Sequence, residues 1–469
     1  MRKPRDWFGP ASHDFFRRRR YPVPLLLGLL GIALPAILWP RPARAIPAFA
    51  AQTGQPCSAC HIGFPQLTPY GRLFKLQGYV AGGMFPNWKN LAAMSQIGFT
   101  RLHDKIPGGL APGFKSNDAW AAQQTSLFYG GALDTRIGLG AFIQVTYDGV
   151  AKQWHWDNTD IRIARPGRLF DKPVYYGLTF NNAPGVTDLW NTPPAWGYPY
   201  IISSLANGPT ASTQIQSLAQ AVYGLGVYDA INITPADMIY TEADFYKSLP
   251  NRMSYALGVG PATPIDGVIP YLRLAFQHTW VNNSFEIGSY ALLDHPYPNG
   301  MINGPTDRIL DLAADSQFQW ITRRQALSVG ANFIHESQDW RASFPLGLTA
   351  NPSDTLNTLT LTVSELLFQR FGVTESFSHI YGSGDTGLYA ATPVTGNANG
   401  KPDTTSWTTE LDYYPFNNGG PSWLPWLNAK LFIENTFYPT FNGLARNYDG
   451  SGRSAGANDT LFTGIWLAF

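Results

Sequence analysis

From residue 91 to Phe469 the chain repeats one pattern. Segments of about ten residues alternate apolar and polar side chains, and turn-forming stretches separate them. Successive side chains of a strand point to opposite faces. This period of two therefore dictates a sheet that is apolar on one face and mainly polar on the other. Ile137, Leu139, Ala141, Ile143, Val145 and Tyr147 share one face; Arg136, Gly138, Gly140, Gln144, Thr146 and Asp148 share the other, with Phe142. Leu272, Leu274, Phe276 and Trp280 alternate with Arg273, Ala275, Gln277 and Thr279. Leu359, Leu361 and Val363 alternate with Thr358, Thr360, Thr362 and Ser364. Leu427, Ala429, Leu431 and Ile433 alternate with Asn428, Lys430, Phe432 and Glu434.

A β-sandwich hides its apolar faces and a transmembrane barrel turns them to lipid, so alternation alone leaves both open. Two features favour the barrel. The last segment ends on Phe469 with Leu461, Ile465 and Leu467 in phase, which resembles an outer-membrane assembly signal. The connections also fall into two classes. Trp320 to Gln325 and Trp280 to Ser284 are short, whereas residues 338–354, 381–403 and 439–458 are long and rich in Gly, Pro, Asn and Ser. Seventeen segments can be drawn as strands, and such barrels usually hold an even number. The expectation is an all-β barrel of about 16 antiparallel strands over residues 91–469, with the surplus segment between residues 183 and 250. Aromatic residues at 14% suit strands and interfacial girdles.

The first 45 residues read differently. Nine of the 33 basic residues and two of the 32 acidic ones lie there, which leaves the remainder near −6. A mildly acidic chain does not suggest nucleic-acid binding. Arg17–Arg20 precede an apolar stretch over residues 25–38, and Ala43-Arg44-Ala45 follows as a small-x-small site. That order predicts a cleaved secretory signal peptide over residues 1–45; an uncleaved membrane anchor is the alternative. The stretch is short for a spanning helix of about 20 residues, and no later segment reaches about 18 uninterrupted apolar residues.

Both cysteines of the chain lie in Cys57-Ser58-Ala59-Cys60-His61. Cys-x-x-Cys-His is the attachment pattern of c-type haem: two thiols at this spacing meet the two vinyl groups of one porphyrin, and the adjacent His meets the iron. A disulfide or a zinc half-site is the alternative. Zinc needs two further ligands and there is no second Cys pair, and a redox motif belongs in a βαβ context that is absent here. Met84, Met94 and His103 are the distal candidates for the sixth position, and a five-coordinate or water-ligated iron stays open. The predicted haem segment, residues 46–90, is an α-helical and loop stretch too small to fold alone. Docking inside the barrel or at its mouth would supply the missing core.

Residues 183–220 form the longest connection, and its first half includes Asp188, Trp190, Pro193, Trp196 and Tyr198. It folds either into the lumen against the haem segment or outward as an extracellular cap. Asp148, Asp160, Asp311, Asp315, Glu410, Asp412 and Glu434 fall on the polar face. They could hold a hard cation such as Fe(II); as ordinary lumen residues they could pair with Arg136, Arg162 and Lys430.

The stretch Ile46-Pro47-Ala48-Phe49-Ala50-Ala51-Gln52-Thr53-Gly54 leads into the motif. Phe64-Pro65-Gln66-Leu67-Thr68-Pro69-Tyr70-Gly71-Arg72-Leu73-Phe74-Lys75-Leu76-Gln77-Gly78-Tyr79 continues from it. With residues 188–199 and the order of parts, these resemble the fused monohaem cytochrome–porins of the bacterial outer membrane, best known as iron oxidases. The specific motifs cover about 45 residues. The resemblance implies Cys57 and Cys60 as thioether sites and His61 as the proximal ligand of one covalent haem c, and it places no distal ligand. It implies electron transfer from an extracellular donor, Fe(II) first, to a periplasmic carrier such as a soluble cytochrome or a copper protein. Outer-membrane lipid would surround the barrel. A porin whose haem segment is a plug or sensor, and a general conduit for another donor, are the alternatives. No acid–base or nucleophilic triad is evident.

Overall fold

The computed structural model describes residues 47–83 and 86–469; the expected signal peptide and the distal candidate Met84 lie outside the described residues. The alternating segments form sixteen strands. They are β1 (Leu91–Leu102), β2 (Ala119–Asp134), β3 (Leu139–Asp148), β4 (Gln153–Leu169), β5 (Lys172–Asn181), β6 (Val222–Asn232), β7 (Asp237–Ser248) and β8 (Ile269–Thr279). Then come β9 (Asn283–Asp294), β10 (Arg308–Ile321), β11 (Gln325–Asp339), β12 (Ser353–Leu367), β13 (Phe371–Gly382), β14 (Thr404–Tyr413), β15 (Asn428–Thr440) and β16 (Thr460–Ala468). Each pairs antiparallel with its sequence neighbours, and β1 closes on β16 through pairs such as Ile97 with Ile465. Closure leaves no unpaired edge.

The pleat decides which face is which. Leu225, Leu272 and Leu361 are 66%, 54% and 43% exposed on the outer face. Arg273 and Thr362, next to Leu272 and Leu361, and Glu242, opposite Arg273, are buried inside. A sandwich core would reverse this, so the apolar face is the outside of the cylinder. No helix among the described residues is long and apolar enough to cross a membrane, which says nothing of a barrel.

Connections at one end, 170–171, 233–236, 280–282, 322–324 and 368–370, have two to four residues. Residues 414–427 are the long exception there. The opposite end carries the long loops, including 103–118, 182–221, 383–403 and 441–459. Residues 182–221 hold no strand; from Asn182 they turn back into the lumen as a strap that includes the short helix α4 (Gln214–Ser217).

The inner wall has two chemistries. On β4 to β11 it carries buried charges, among them Asp160, Arg162, Glu242, Arg273, Asp315 and Glu336. On β12 and β13 it is mostly hydroxyl, as at Thr362, Ser364, Thr374 and Ser376. On β14 and β15 one cation, Lys430, pairs with Glu410 and lies 3.2 Å from Asp412, while the Tyr198 hydroxyl donates to Glu410 and Glu434 at 3.3 Å. Replacing that cation leaves buried carboxylates without a counter-charge. Lys430→Met is expected to destabilise the barrel by about 3–5 kcal/mol in a denaturation series, whereas an exposed pair such as Arg341 with Asp339 should contribute less than about 1 kcal/mol.

Candidate functional site

The segment before the barrel folds as three short helices, α1 (Pro47–Thr53), α2 (Cys57–Cys60) and α3 (Pro69–Leu76). α2 is a single turn closed by the His61 amide donating to the Cys57 carbonyl at 2.8 Å. The chain then doubles back. The Ile62 amide donates to the Gln66 carbonyl, and the Thr68 amide to the Cys60 carbonyl at 2.9 Å. Thr68 caps α3 by accepting from the Gly71 amide, and Pro69 sits where a helix needs no donor. A Cβ on Gly71 would lie 2.3 Å from the Cys60 carbonyl oxygen, so glycine lets α3 press against the motif.

Cations on α3 fix the segment inside the barrel. Arg72 donates to Gln319 at 2.7 Å, Gln317 at 3.1 Å and Ser284 at 2.8 Å. Lys75 donates to the carbonyls of Val186 and Asp188, at 2.7 and 2.6 Å. Burial pushes the Lys75 amine down to about 7, and neighbouring Arg162 adds to the fall. The Tyr79 hydroxyl donates to Asp160 at 2.6 Å, and Asp160 pairs with Arg162. Behind α3 the strap is held by Arg273, 2.8 Å from both Asp188 and Asp315. The strap thus takes the inward of its two expected courses.

Helices, strap and wall enclose a cavity of about 400 Å³ whose lining includes Cys60, His61, Phe64, Phe74, Met94 and Trp196. Its size is that of a cofactor or small-molecule site. A larger concavity of about 1040 Å³, lined by Leu178, Leu272 and Leu312, faces outward and lies away from the motif. Cys57 is buried in the apolar cluster that contains Phe64, Met94 and Trp466. His61 Nδ1 lies 3.1 Å from the Pro65 carbonyl oxygen, which orients the ring and leaves Nε2 for a metal. Burial pushes the His61 imidazole down to about 4, against the Pro65 and Gln66 backbone bonds, so the ring is neutral and ligand-competent at neutral pH. Burial also pushes the Cys60 thiol up to about 11, the reverse of a reactive redox thiolate. No disulfide joins the two cysteines. An aromatic cavity, a neutral oriented imidazole and the motif thiols fit a covalent haem.

Of the distal candidates, Met94 is brought to the same cavity and is buried, its sulfur 3.9 Å from Gln96 Nε2. His103 lies nine residues on, about 30 Å along the strand direction at about 3.3 Å per residue, and its side chain is exposed. It does not reach the cavity. Asp160, Asp311, Asp315, Glu410, Asp412 and Glu434 are in the lumen as expected. Asp148 is not: it ends β3 and accepts from the amides of Val150 and Ala151 in a turn. Arg136 pairs with Asp134 in another turn rather than inside. No three acidic, His or Cys residues among those described are arranged to hold a metal ion. Sequence reasoning missed Arg72, Lys75 and Tyr79 as anchors, although two cations three residues apart on an otherwise apolar helix were a readable signal.

No family model and no curated protein sequence matches the chain. Solved outer-membrane proteins are similar at low identity. OmpT of Vibrio cholerae is 9% identical over 81% of this chain and 96% of that one, with a TM-score of 0.40. The outer-membrane channel DcaP of Acinetobacter baumannii is 11% identical over 82% and 99%, with 0.44. OmpF of Salmonella typhi, in complex with daunomycin, is 12% identical over 81% and 97%, with 0.44. The barrel architecture rests on the strand pairing.

Met94→Ala separates ligand from packing. If Met94 completes the coordination, the substitution lowers the midpoint potential of the purified protein and changes its visible spectrum. An unchanged potential and spectrum would leave Met94 as wall packing.

Proposed function

We propose that this chain is an outer-membrane protein whose barrel carries one covalently attached haem c. On this reading it passes electrons from an extracellular donor, Fe(II) first, to a periplasmic carrier. The observation that supports it is the seating of Cys57–His61 within the lumen, on the aromatic cavity shared with Met94. The outward apolar band suits a hydrocarbon layer about 30 Å thick, and a closed sheet satisfies its backbone there. Outer-membrane barrels place their short turns in the periplasm. Here the motif meets the short-turn end: the Ser58 amide donates to the Asn417 carbonyl and its hydroxyl to Asn418. A soluble cytochrome or copper protein would approach from that side.

Once bound, the haem supplies the one-electron redox centre. The chain's residues do the rest. His61 is held neutral and oriented, Phe64 packs against its ring, Phe49, Phe74 and Tyr79 pack together on the wall of the same cavity, and Arg72 and Lys75 fix the segment. Electron transfer needs no acid–base group; the buried carboxylates of Asp160, Asp188, Asp315 and Glu410 are counter-charges to Arg162, Arg273 and Lys430.

The second reading is a channel that the haem segment plugs, and the porin-like barrel itself favours it. Three measurements test these readings. Purified mature protein should carry the added mass and visible spectrum of one porphyrin, and the Cys57→Ala, Cys60→Ala double variant should lose both. Rapid mixing with Fe(II) should reduce the oxidised haem; a haem that stays oxidised removes iron as the donor. Vesicles that swell in small solutes at an open-pore rate would favour the channel.

A further inference from the structure

The strap divides the lumen. On its β11 to β15 side lies a second cavity of about 450 Å³. Asn191, Pro194, Gly197, Pro199 and Tyr200 line both cavities, so the strap forms a partition between them. The strand wall of this chamber bears hydroxyls. Thr358, Thr360, Ser378 and Ser406 line it and make no side-chain hydrogen bond to another protein group among the described residues. Pro194, Pro199, Tyr198 and Tyr438 offer flat apolar surface. Among the described residues no Lys or Arg lines the chamber; its one carboxylate, Glu434, already accepts from Tyr198.

An ion entering such a space would lose water without gaining a counter-charge. A neutral compound with hydroxyls loses less. Thr and Ser hydroxyls both donate and accept, so they can replace the water around its edge while its flat face packs on tyrosine and proline. The volume falls within the range of small-molecule sites. We propose that this chamber binds a neutral ring compound bearing hydroxyl groups. The ring is either aromatic or saturated, and the inference stands apart from the porphyrin.

The test is calorimetric titration of the purified full chain in detergent with resorcinol, a dihydroxybenzene that cannot form a quinone and so does not report on the haem, and, separately, with glucose. Benzoate serves as the charged ring. Saturable one-site binding of either neutral ring is expected, with benzoate at least about tenfold weaker; which of the two binds identifies the ring type. Thr360→Val and Ser406→Ala should each weaken binding about fivefold, the effect of one neutral hydrogen bond. Ser378→Trp should abolish it by filling the chamber. If that variant fails to fold, as judged by its strand dichroism, the two hydroxyl deletions decide alone. The proposal is overturned if neither neutral ring binds saturably, if benzoate binds as tightly, or if the hydroxyl deletions leave the affinity unchanged. The mass spectrum of the same sample reports the porphyrin independently.

Discussion

The arrangement depends on two cations of α3 that are taken out of water inside a ring of strands. Arg72 and Lys75 are both buried, and burial alone would favour their neutral forms. What holds them is a dense set of acceptors from elsewhere: two glutamines and a serine of the wall for Arg72, two strap carbonyls for Lys75. Such donors can be satisfied only if helix, strap and wall are all in register, since a misplaced segment would leave charge uncompensated. A stretch with too little core to stand alone is thereby fixed, and Gly71 brings the motif turn against it.

The same logic explains why the lumen is two-sided. Charged residues line the wall where the plug and strap must be gripped, from Asp160 and Arg162 to Arg273 and Asp315. On β12 and β13, cross-strand hydroxyl contacts such as Thr362 with Ser376 at 3.2 Å take their place. Aromatic residues occupy the boundary. Tyr198 and Tyr200 stand edge to face at 5.3 Å, with Tyr198 tied to the Glu410 and Glu434 carboxylates and Tyr200 facing both cavities.

Much of this was legible in the sequence because period-two alternation maps directly onto a pleat. Leu359 to Ser364 read as a strand with opposed faces, and it is one; the short turns at Trp280 and Trp320 also fall where expected. The motif was legible because its chemistry is local. Alternation could not assign inside and outside, which is a property of the closed sheet. Nor could it place Asp148 in a turn rather than the lumen, because side-chain phase is the same at a strand's last residue as at its middle. The strap's inward course depends on Arg273 reaching Asp188 across 85 residues of chain, a pairing that no local pattern encodes.

Amide hydrogen exchange over residues 57–79 in the purified protein tests the plug most directly. A segment locked in the lumen through Arg72 and Lys75 should have Thr68, Arg72 and Gln77 amides that exchange as slowly as those of the barrel strands. Exchange at the rate of an unstructured tail, with the strands still protected, would contradict it.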